Sequence, residues 1–322
     1  MKIRPRRLRT TALLREAVAE TQFRVAQLIQ PHFVIEDTNG VQAISSMPGI
    51  ERMGIARLVE RVGRDLDLGL TNVLLFGLTE HKDLRGASAT DANGLVPRAV
   101  RALRERHGER LTIMTDVCLC GSLEHGHCGI LKDGKVLNDE TLPILSAMAL
   151  AHARAGADVV APSDMMDGRV AAIRATLDAS GHSDTALMSY STKFASAFYG
   201  PFREAADSAP KSGDRKSYQM DHRNAREALR ESLLDEQEGA DILMVKPALS
   251  YLDVIRTIKD RTLVPLAAYN VSGEYSMVKA AAANGWVDEK LVVREILNSM
   301  FRAGADLVIS YHGREAREKG WI

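Results

Sequence analysis

Lys246 ends an apolar run in the stretch "GADILMVKPALSYLD", residues 239–253. The run Ile242-Leu243-Met244-Val245 after Gly239 reads as a strand buried on both faces. An ammonium at the end of such a strand sits where desolvation disfavours its charged form. A lysine there either snorkels to solvent or pairs with a carboxylate, or is held neutral so that it can attack a carbonyl. A second lysine, Lys193, lies in "SYSTKFASAFYG" among small, hydroxylic and aromatic residues. All three cysteines, Cys118, Cys120 and Cys128, fall within "CLCGSLEHGHC", with the spacing C-x-C-x₇-C. Thiolates at this density favour zinc over mere small-residue packing. Three protein ligands leave the open position of a catalytic site, whereas a structural site is closed by a fourth. His125 and His127 are both available as that fourth ligand, and His127 can equally be a neighbour of the site or an ordinary loop residue.

These residues need elements to position them. Three segments share one pattern, "AGADVVAPSD" (155–164), "EGADILMVKP" (238–247) and "AGADLVISYH" (303–312). Each follows an amphipathic helical stretch. Its glycine (Gly156, Gly239, Gly304) sits where a helix stops in left-handed geometry, and Asp comes two residues later, before a short apolar strand. The remaining strands are expected at 28–35 (despite its internal proline), 71–76, 111–117, 185–190 and 264–270. With Asp158–Ala161, Ile242–Lys246 and Asp306–Ser310 they make eight. Helices are expected at Val96–Arg106, Asp167–Ser180, Asn224–Glu236, Tyr251–Arg261 and Tyr275–Asn284. Eight strands alternating with helices imply a (β/α)₈ TIM barrel. An open doubly wound sheet is the alternative, but no G-x-G-x-x-G follows the first strand.

Barrel active sites gather at the carboxyl ends of the strands. Those ends carry Asp116, Ser163-Asp164, Lys193 just past strand five, Lys246, Ser272 just past strand seven, and Tyr311. Strands five and six would be neighbours, so Lys193 would lie near Lys246, and each ammonium would disfavour the other's charge. The other orientation has Lys193 pointing outward to an exposed carboxylate. Pro247 biases Lys246 towards extended backbone up to the rim. The long polar segment after strand five, with Arg203, Arg215 and Lys216, looks like a lid carrying cations for a carboxylate substrate.

The 322 residues carry 42 basic and 42 acidic side chains, a zero formal charge that argues against a nucleic-acid-binding protein. No apolar stretch is long enough to span a membrane. The basic start "MKIRPRRLRT" lacks an apolar core, so it is not a secretory signal. It reads instead as an arm lying on another subunit. Three cysteines are no disulfide framework, and a cytoplasmic setting is expected.

The blocks "RPRRLR", "ISSMPGIERM", "VVAPSDMMDGRVAAIR", "SYSTKFASAFYGPFREA", "GDRKSYQM", "GADILMVKPALSYLD" and "YNVSGEYSM" resemble the 5-aminolaevulinate dehydratase (porphobilinogen synthase) family along nearly the whole chain. The resemblance implies a TIM barrel (28–322) with an N-terminal arm (1–27), a lid at about 200–222 and a homo-octamer. It implies condensation of two 5-aminolaevulinate molecules to porphobilinogen, with loss of two waters. In that frame Lys246 forms the Schiff base with the substrate giving the propionate side, and Lys193 engages the one giving the acetate side. Ser272 and Tyr311 hold the propionate-side carboxylate, and Arg203, Arg215 and Gln219 the other. Asp116 and Ser163 surround the propionate-side amino group, and Tyr199 and Phe202 line the pocket. The cysteine triad implies the zinc-dependent type. Glu231 matches a glutamate that binds an activating magnesium at a subunit interface. The chain departs from the family at "GSLEHGHC" in the cysteine loop, with the spacing kept, and at Asp221-His222, and the end after Tyr311 carries no family signal. A class I aldolase on the same scaffold is the competing expectation, though it needs one lysine and no thiol triad. A silent scaffold barrel would tolerate loss of these residues, and all are present.

Overall fold

The computed structural model describes residues 3–322, so the first two residues of the expected arm lie outside it. Eight parallel strands follow one another in space in chain order: β1 (Leu28–Ile35), β2 (Asn72–Leu78), β3 (Thr112–Val117), β4 (Val159–Pro162), β5 (Ala186–Lys193), β6 (Ile242–Lys246), β7 (Leu266–Asn270) and β8 (Leu307–Ser310). β8 pairs back on β1 through Leu28↔Val308 and Ile29↔Ile309, which closes the barrel. Helices α1 (Ile55–Asp67), α2 (Leu95–His107), α3 (Asn138–Ala155), α4 (Arg169–Ala179), α5 (Ala225–Gln237), α6 (Leu252–Lys259), α7 (Ser272–Ala283), α8 (Glu289–Ala303) and α9 (Gly313–Glu318) cover it. The TIM barrel expected from the alternation is therefore the fold.

Alternation along each strand divides the core. Met114, Met188, Met244, Ala267 and Ile309 point into the barrel, whereas Val160, Leu187, Leu243, Val245 and Val308 pack outward against the helices. Pro31 of β1 falls in a gap on its strand's outer edge. That edge meets β8 at residues 28 and 29 and the short strand Glu51–Gly54 at residues 33–35, while on the other edge Pro31 is registered with Leu74 of β2.

The thrice-repeated Gly-Ala-Asp has a physical cause in the structure. Each glycine ends a helix turn with φ of 105°, 103° and 119°, a region closed to most side chains. Each aspartate then reaches sideways to the neighbouring strand. Asp158 Oδ2 accepts from Ile113 N (2.7 Å), Asp241 Oδ2 from Leu187 N (2.7 Å) and Asp306 Oδ2 from Leu266 N (2.8 Å). The repeat satisfies strand-start N–H groups at the amino-terminal rim, opposite the mouth that carries the site.

Two boundaries differ from expectation in ways that matter. β5 continues to Lys193 instead of stopping at residue 190, and α7 begins at Ser272 instead of residue 275. The helix expected at 251–261 ends at Lys259. Ahead of the barrel, a 3₁₀ turn (Pro5–Arg9) and a helix (Ala12–Ala17) carry exposed Leu8 and Leu13, flanked by exposed Ile3 and Val18.

Candidate active site

The two lysines are directly paired, Lys193 of β5 against Lys246 of β6. Lys246 is reached by regular alternation from Met244, so it points into the mouth. Lys193 is not. The register slips by one residue between Leu243 and Val245, a bulge on β5. Across it both Ser191 and Thr192 face outward, each within hydrogen-bond reach of Ser232 Oγ on α5 (3.1 and 2.8 Å). Two successive outward residues reset the parity and turn Lys193 inward. At 5% and 4% exposure neither lysine snorkels out or meets an exposed carboxylate.

Lys246 Nζ is boxed by aromatic faces, with ring centroids of Tyr269, Phe202, Tyr190 and Tyr199 at 4.3, 4.9, 5.0 and 5.4 Å. Burial first, and the Lys193 ammonium second, bring its amine down to about 7, against a smaller opposing pull from Asp116. Lys193 Nζ donates to the Ser163 carbonyl. Asp116, half-buried at the mouth, has its carboxyl raised by lost hydration despite Lys193 and the Ser163 hydroxyl, and its Oδ1 has no protein partner. Asp164, wholly buried beside it, is likewise pushed up by burial, to about 6.

At the end of β3, Cys118, Cys120 and Cys128 bring their sulfurs within 4.8 Å of one another, with Cys118 Sγ 3.3 Å from Cys120 Sγ. This is the one such ligand cluster among the described residues. Three converging thiols form a soft donor set that suits a metal ion such as zinc. Neither histidine joins them. His127 is turned to the lid, with Nδ1 3.0 Å from Tyr218 Oη and Nε2 2.9 Å from the Ser212 carbonyl, and His125 lies outside the cluster.

The lid starts with a helix, Gly200–Ala205, and crosses over the cysteine loop. Gly126 makes this possible, since a Cβ there would lie 2.5 Å from the Ala209 carbonyl. Lys211 N donates to His125 O (3.1 Å), Arg215 Nη2 to Gly126 O (2.9 Å), and Met220 N to Lys193 O (3.1 Å). Arg203 Nε, Arg215 Nε and Gln219 Nε2 are all buried donors with no protein partner. Three unpartnered buried donors on one lid suit a surface that holds an anion.

On the opposite wall, Ser272 opens α7, its hydroxyl accepting from Phe202 N at 2.9 Å. Tyr311, at the end of β8, shares a 2.9 Å hydrogen bond with Tyr269 Oη. Tyr199 Oη donates to the Lys246 carbonyl at 3.1 Å, fixing that strand end.

The family model for delta-aminolevulinic acid dehydratase matches residues 2–319. The chain belongs to this family. A relative of that name from Bacillus subtilis is 50% identical over 319 residues, 99% of this chain and 98% of its own. One from Methanothermobacter thermautotrophicus is 55% identical over 310 residues, 96% and 94% of the two chains. A crystal structure of the delta-aminolevulinic acid dehydratase (porphobilinogen synthase) of Toxoplasma gondii, in complex with the reaction product porphobilinogen, superposes with a TM-score of 0.97. It is 44% identical, and the match covers 99% of this chain and 92% of that one.

For a delta-aminolevulinic acid dehydratase the expected site residues fall into two groups. Lys193, Lys246, Asp116, Ser163, Tyr199, Phe202, Ser272, Tyr311, the cysteines, Arg203 and Arg215 surround one mouth, and Gln219 lies on the lid between that mouth and the cleft behind it. Glu231 is not at the mouth. It lies on α5 in a cleft with Asp167 and Glu227 that is also lined by Gln219 of the lid, and burial and then Asp167 raise its carboxyl. Two features of this family member escape sequence reading. Tyr190 and Tyr269, which wall Lys246, are signalled only by their alternation with interior residues. The turn of His127 towards the lid has no sequence signal at all.

Proposed function

We propose that the chain is a porphobilinogen synthase, condensing two molecules of 5-aminolaevulinate to porphobilinogen with loss of two waters in tetrapyrrole synthesis. The observation that carries this reading is the directly paired, inward-facing Lys193 and Lys246 beside a thiol triad. An aldolase would use one lysine and leave the cysteines idle.

Lys246, bare at neutral pH for a good fraction of the time, attacks the ketone of the propionate-side substrate and forms an imine. The iminium acidifies the adjacent carbon and prepares it for carbon–carbon bond formation. Burial keeps the amine bare, and once the imine is protonated the surrounding ring faces favour its delocalised positive charge. Ser272 fits the role of carboxylate holder because it sits in the first turn of a 12-residue helix, where free N–H groups favour an anion. Tyr311 Oη would complete that grip. Lys193 engages the acetate-side substrate, whose carboxylate Arg203, Arg215 and Gln219 would clamp from the lid. This holds two flexible keto acids in one reactive geometry. Asp116 and Ser163 would take the propionate-side amino group, and Phe202 and Tyr199 exclude water above it.

Cys118, Cys120 and Cys128 would hold zinc, which when bound supplies a Lewis acid beside the second substrate. Glu231, crowded by Asp167, would gain from a magnesium ion that offsets the like charge. The arm (1–27) would cover a neighbouring subunit with its exposed Leu8 and Leu13 in a homo-octamer. The reaction is assigned to the cytoplasm; among the described residues no helix is long and apolar enough to cross a membrane.

Borohydride trapping with 5-aminolaevulinate followed by peptide mass spectrometry tests the reading. Adducts on Lys246, with or without a second on Lys193, support it. No adduct on either lysine in zinc-loaded protein defeats it.

A further inference from the structure

A polar belt runs behind the wall of the site, made of residues to which no role has yet fallen. Glu274, in the first turn of α7 and 2% exposed, receives donors from two strand ends. Its Oε1 accepts from Leu249 N at 2.8 Å, three residues past Lys246. Its Oε2 accepts from Val271 N at 2.9 Å and from Asn270 Nδ2 at 3.1 Å. Asn270, ending β7, accepts on Oδ1 from Ser310 Oγ at 2.9 Å, and that hydroxyl accepts from His312 N at 3.2 Å. Glu274, Asn270, Ser310 and His312 are all buried. The belt therefore links the exit of Lys246, the residue preceding Ser272, and both neighbours of Tyr311.

Helix capping alone does not account for it. A glutamate in the third helical position needs to reach only its own N-cap N–H, and can do so from the surface. Here the carboxylate is buried at a cost in hydration, with its carboxyl raised to about 7, and it spends its acceptor capacity on a different strand's exit.

We propose that Glu274, with Asn270 and Ser310, is a positioning device. It fixes the span from the Lys246 amine to the carboxylate-holding pair Ser272 and Tyr311, and so selects keto acids by the number of carbons between carbonyl and carboxylate. The inference rests on the proposed function and deepens it. The three groups touch no substrate; they act through the backbone that carries the three that do.

The test uses single imines. The Lys246 amine adds to a ketone and loses water, and borohydride reduces the C=N to a stable secondary amine that peptide mass spectrometry locates. Three probes are compared on full-length, zinc-loaded protein. 4-Oxopentanoate has the substrate's carbonyl-to-carboxylate spacing, 5-oxohexanoate has one more methylene, and 2-pentanone has no carboxylate. Wild type traps 4-oxopentanoate fastest of the three. In Glu274→Gln, whose amide cannot accept from all three donors, the preference for 4-oxopentanoate over 5-oxohexanoate falls about tenfold. Trapping of 2-pentanone stays within about twofold, whereas a merely structural loss would slow all three probes together. Ser310→Ala, a milder cut of the same belt, moves the ratio in the same direction, and it decides alone if Glu274→Gln does not fold. A wild type with no preference for 4-oxopentanoate over 2-pentanone would overturn the carboxylate roles of Ser272 and Tyr311 in the proposed function. A wild-type preference kept unchanged in the folded variants would overturn the positioning inference alone.

Discussion

The role proposed for Lys246, attack on a ketone at neutral pH, needs a bare amine, and its surroundings prepare one more than any partner does. Burial lowers its amine to about 7, and the neighbouring Lys193 adds to the effect. The neutral form is the reactive one, so the imine-trapping rate with 4-oxopentanoate should rise with pH and reach half its maximum near 7. Lys193→Met removes a charge that holds the amine down, so its midpoint should move to higher pH. Asp116→Asn removes a charge that holds it up, so its midpoint should move lower. Variants that slow trapping without moving the midpoint in these directions would show that the coupling is absent. Lys246→Ala should lower turnover by at least about a thousandfold, as loss of a covalent nucleophile does. At the cysteines, metal content is the cleaner readout. Cys120→Ala should reduce bound zinc well below about one per chain after dialysis, and an unchanged zinc content would place the metal elsewhere.

At the scale of elements, the site depends on a strand irregularity and on a lid fastened to a loop. Lys246 is legible in the sequence because its strand is short, apolar and regular, so alternation carries it to the mouth. Lys193 is only half legible. Its position near a strand end follows from the strand expected at 185–190, but its direction depends on a bulge among Tyr190, Ser191 and Thr192, and nothing in three small or aromatic residues announces an extra residue opposite β6. The Gly-Ala-Asp repeat is plain as a pattern, yet the partner of each aspartate is an N–H on another strand, 40 to 54 residues away, which only the closed barrel brings near. The cysteine loop is similar. Its spacing reveals a ligand set but not that His127 serves the lid. That contact is testable. His127→Ala removes two hydrogen bonds, each worth about 1 kcal/mol, so the lid should open more often and trypsin should cut after Lys211, Arg215 or Lys216 about tenfold faster or more. An unchanged cleavage rate would mean that Gly126, Arg215 and Met220 hold the lid without it.

For the molecule as a whole, the vulnerable place is the seam where the first strand meets the last. β1 and β8 share two registered pairs, one of the two shortest ladders in the barrel. A buried side-chain cluster reinforces it. Arg314 of α9 meets Asp65 of α1 through Nε (2.6 Å) and Nη2 (2.7 Å), Arg314 N donates to Gln30 Oε1 (3.1 Å), and His32 Nε2 lies 3.1 Å from Asp65. The outward face of β1, its covering helix and the terminal helix are thereby tied together. Burial alone would raise the Asp65 carboxyl, but hydrogen bonds from Arg314 and His32 outweigh it and bring it down to about 2. A carboxyl depressed on folding contributes stability above its unfolded value, near 4, and loses it as pH falls towards 2. That contribution is about 2–3 kcal/mol. Asp65→Asn should cost about 3–5 kcal/mol near neutral pH, because it leaves the Arg314 charge buried without its partner. Denaturant titrations of wild type and Asp65→Asn should therefore differ most above pH 4, and the gap should narrow by about 2 kcal/mol as pH approaches 2. His32 is held neutral by burial and lies below its ordinary value, so it also weakens the fold in acid. Asp65 opposes that shift, so its loss in Asp65→Asn lowers the imidazole further and adds to the variant's acid sensitivity; both proteins are therefore compared in a His32→Phe background, where only the carboxylate differs. A gap between them that stays constant from pH 7 to pH 2 would show that the seam is held by packing and not by this carboxylate.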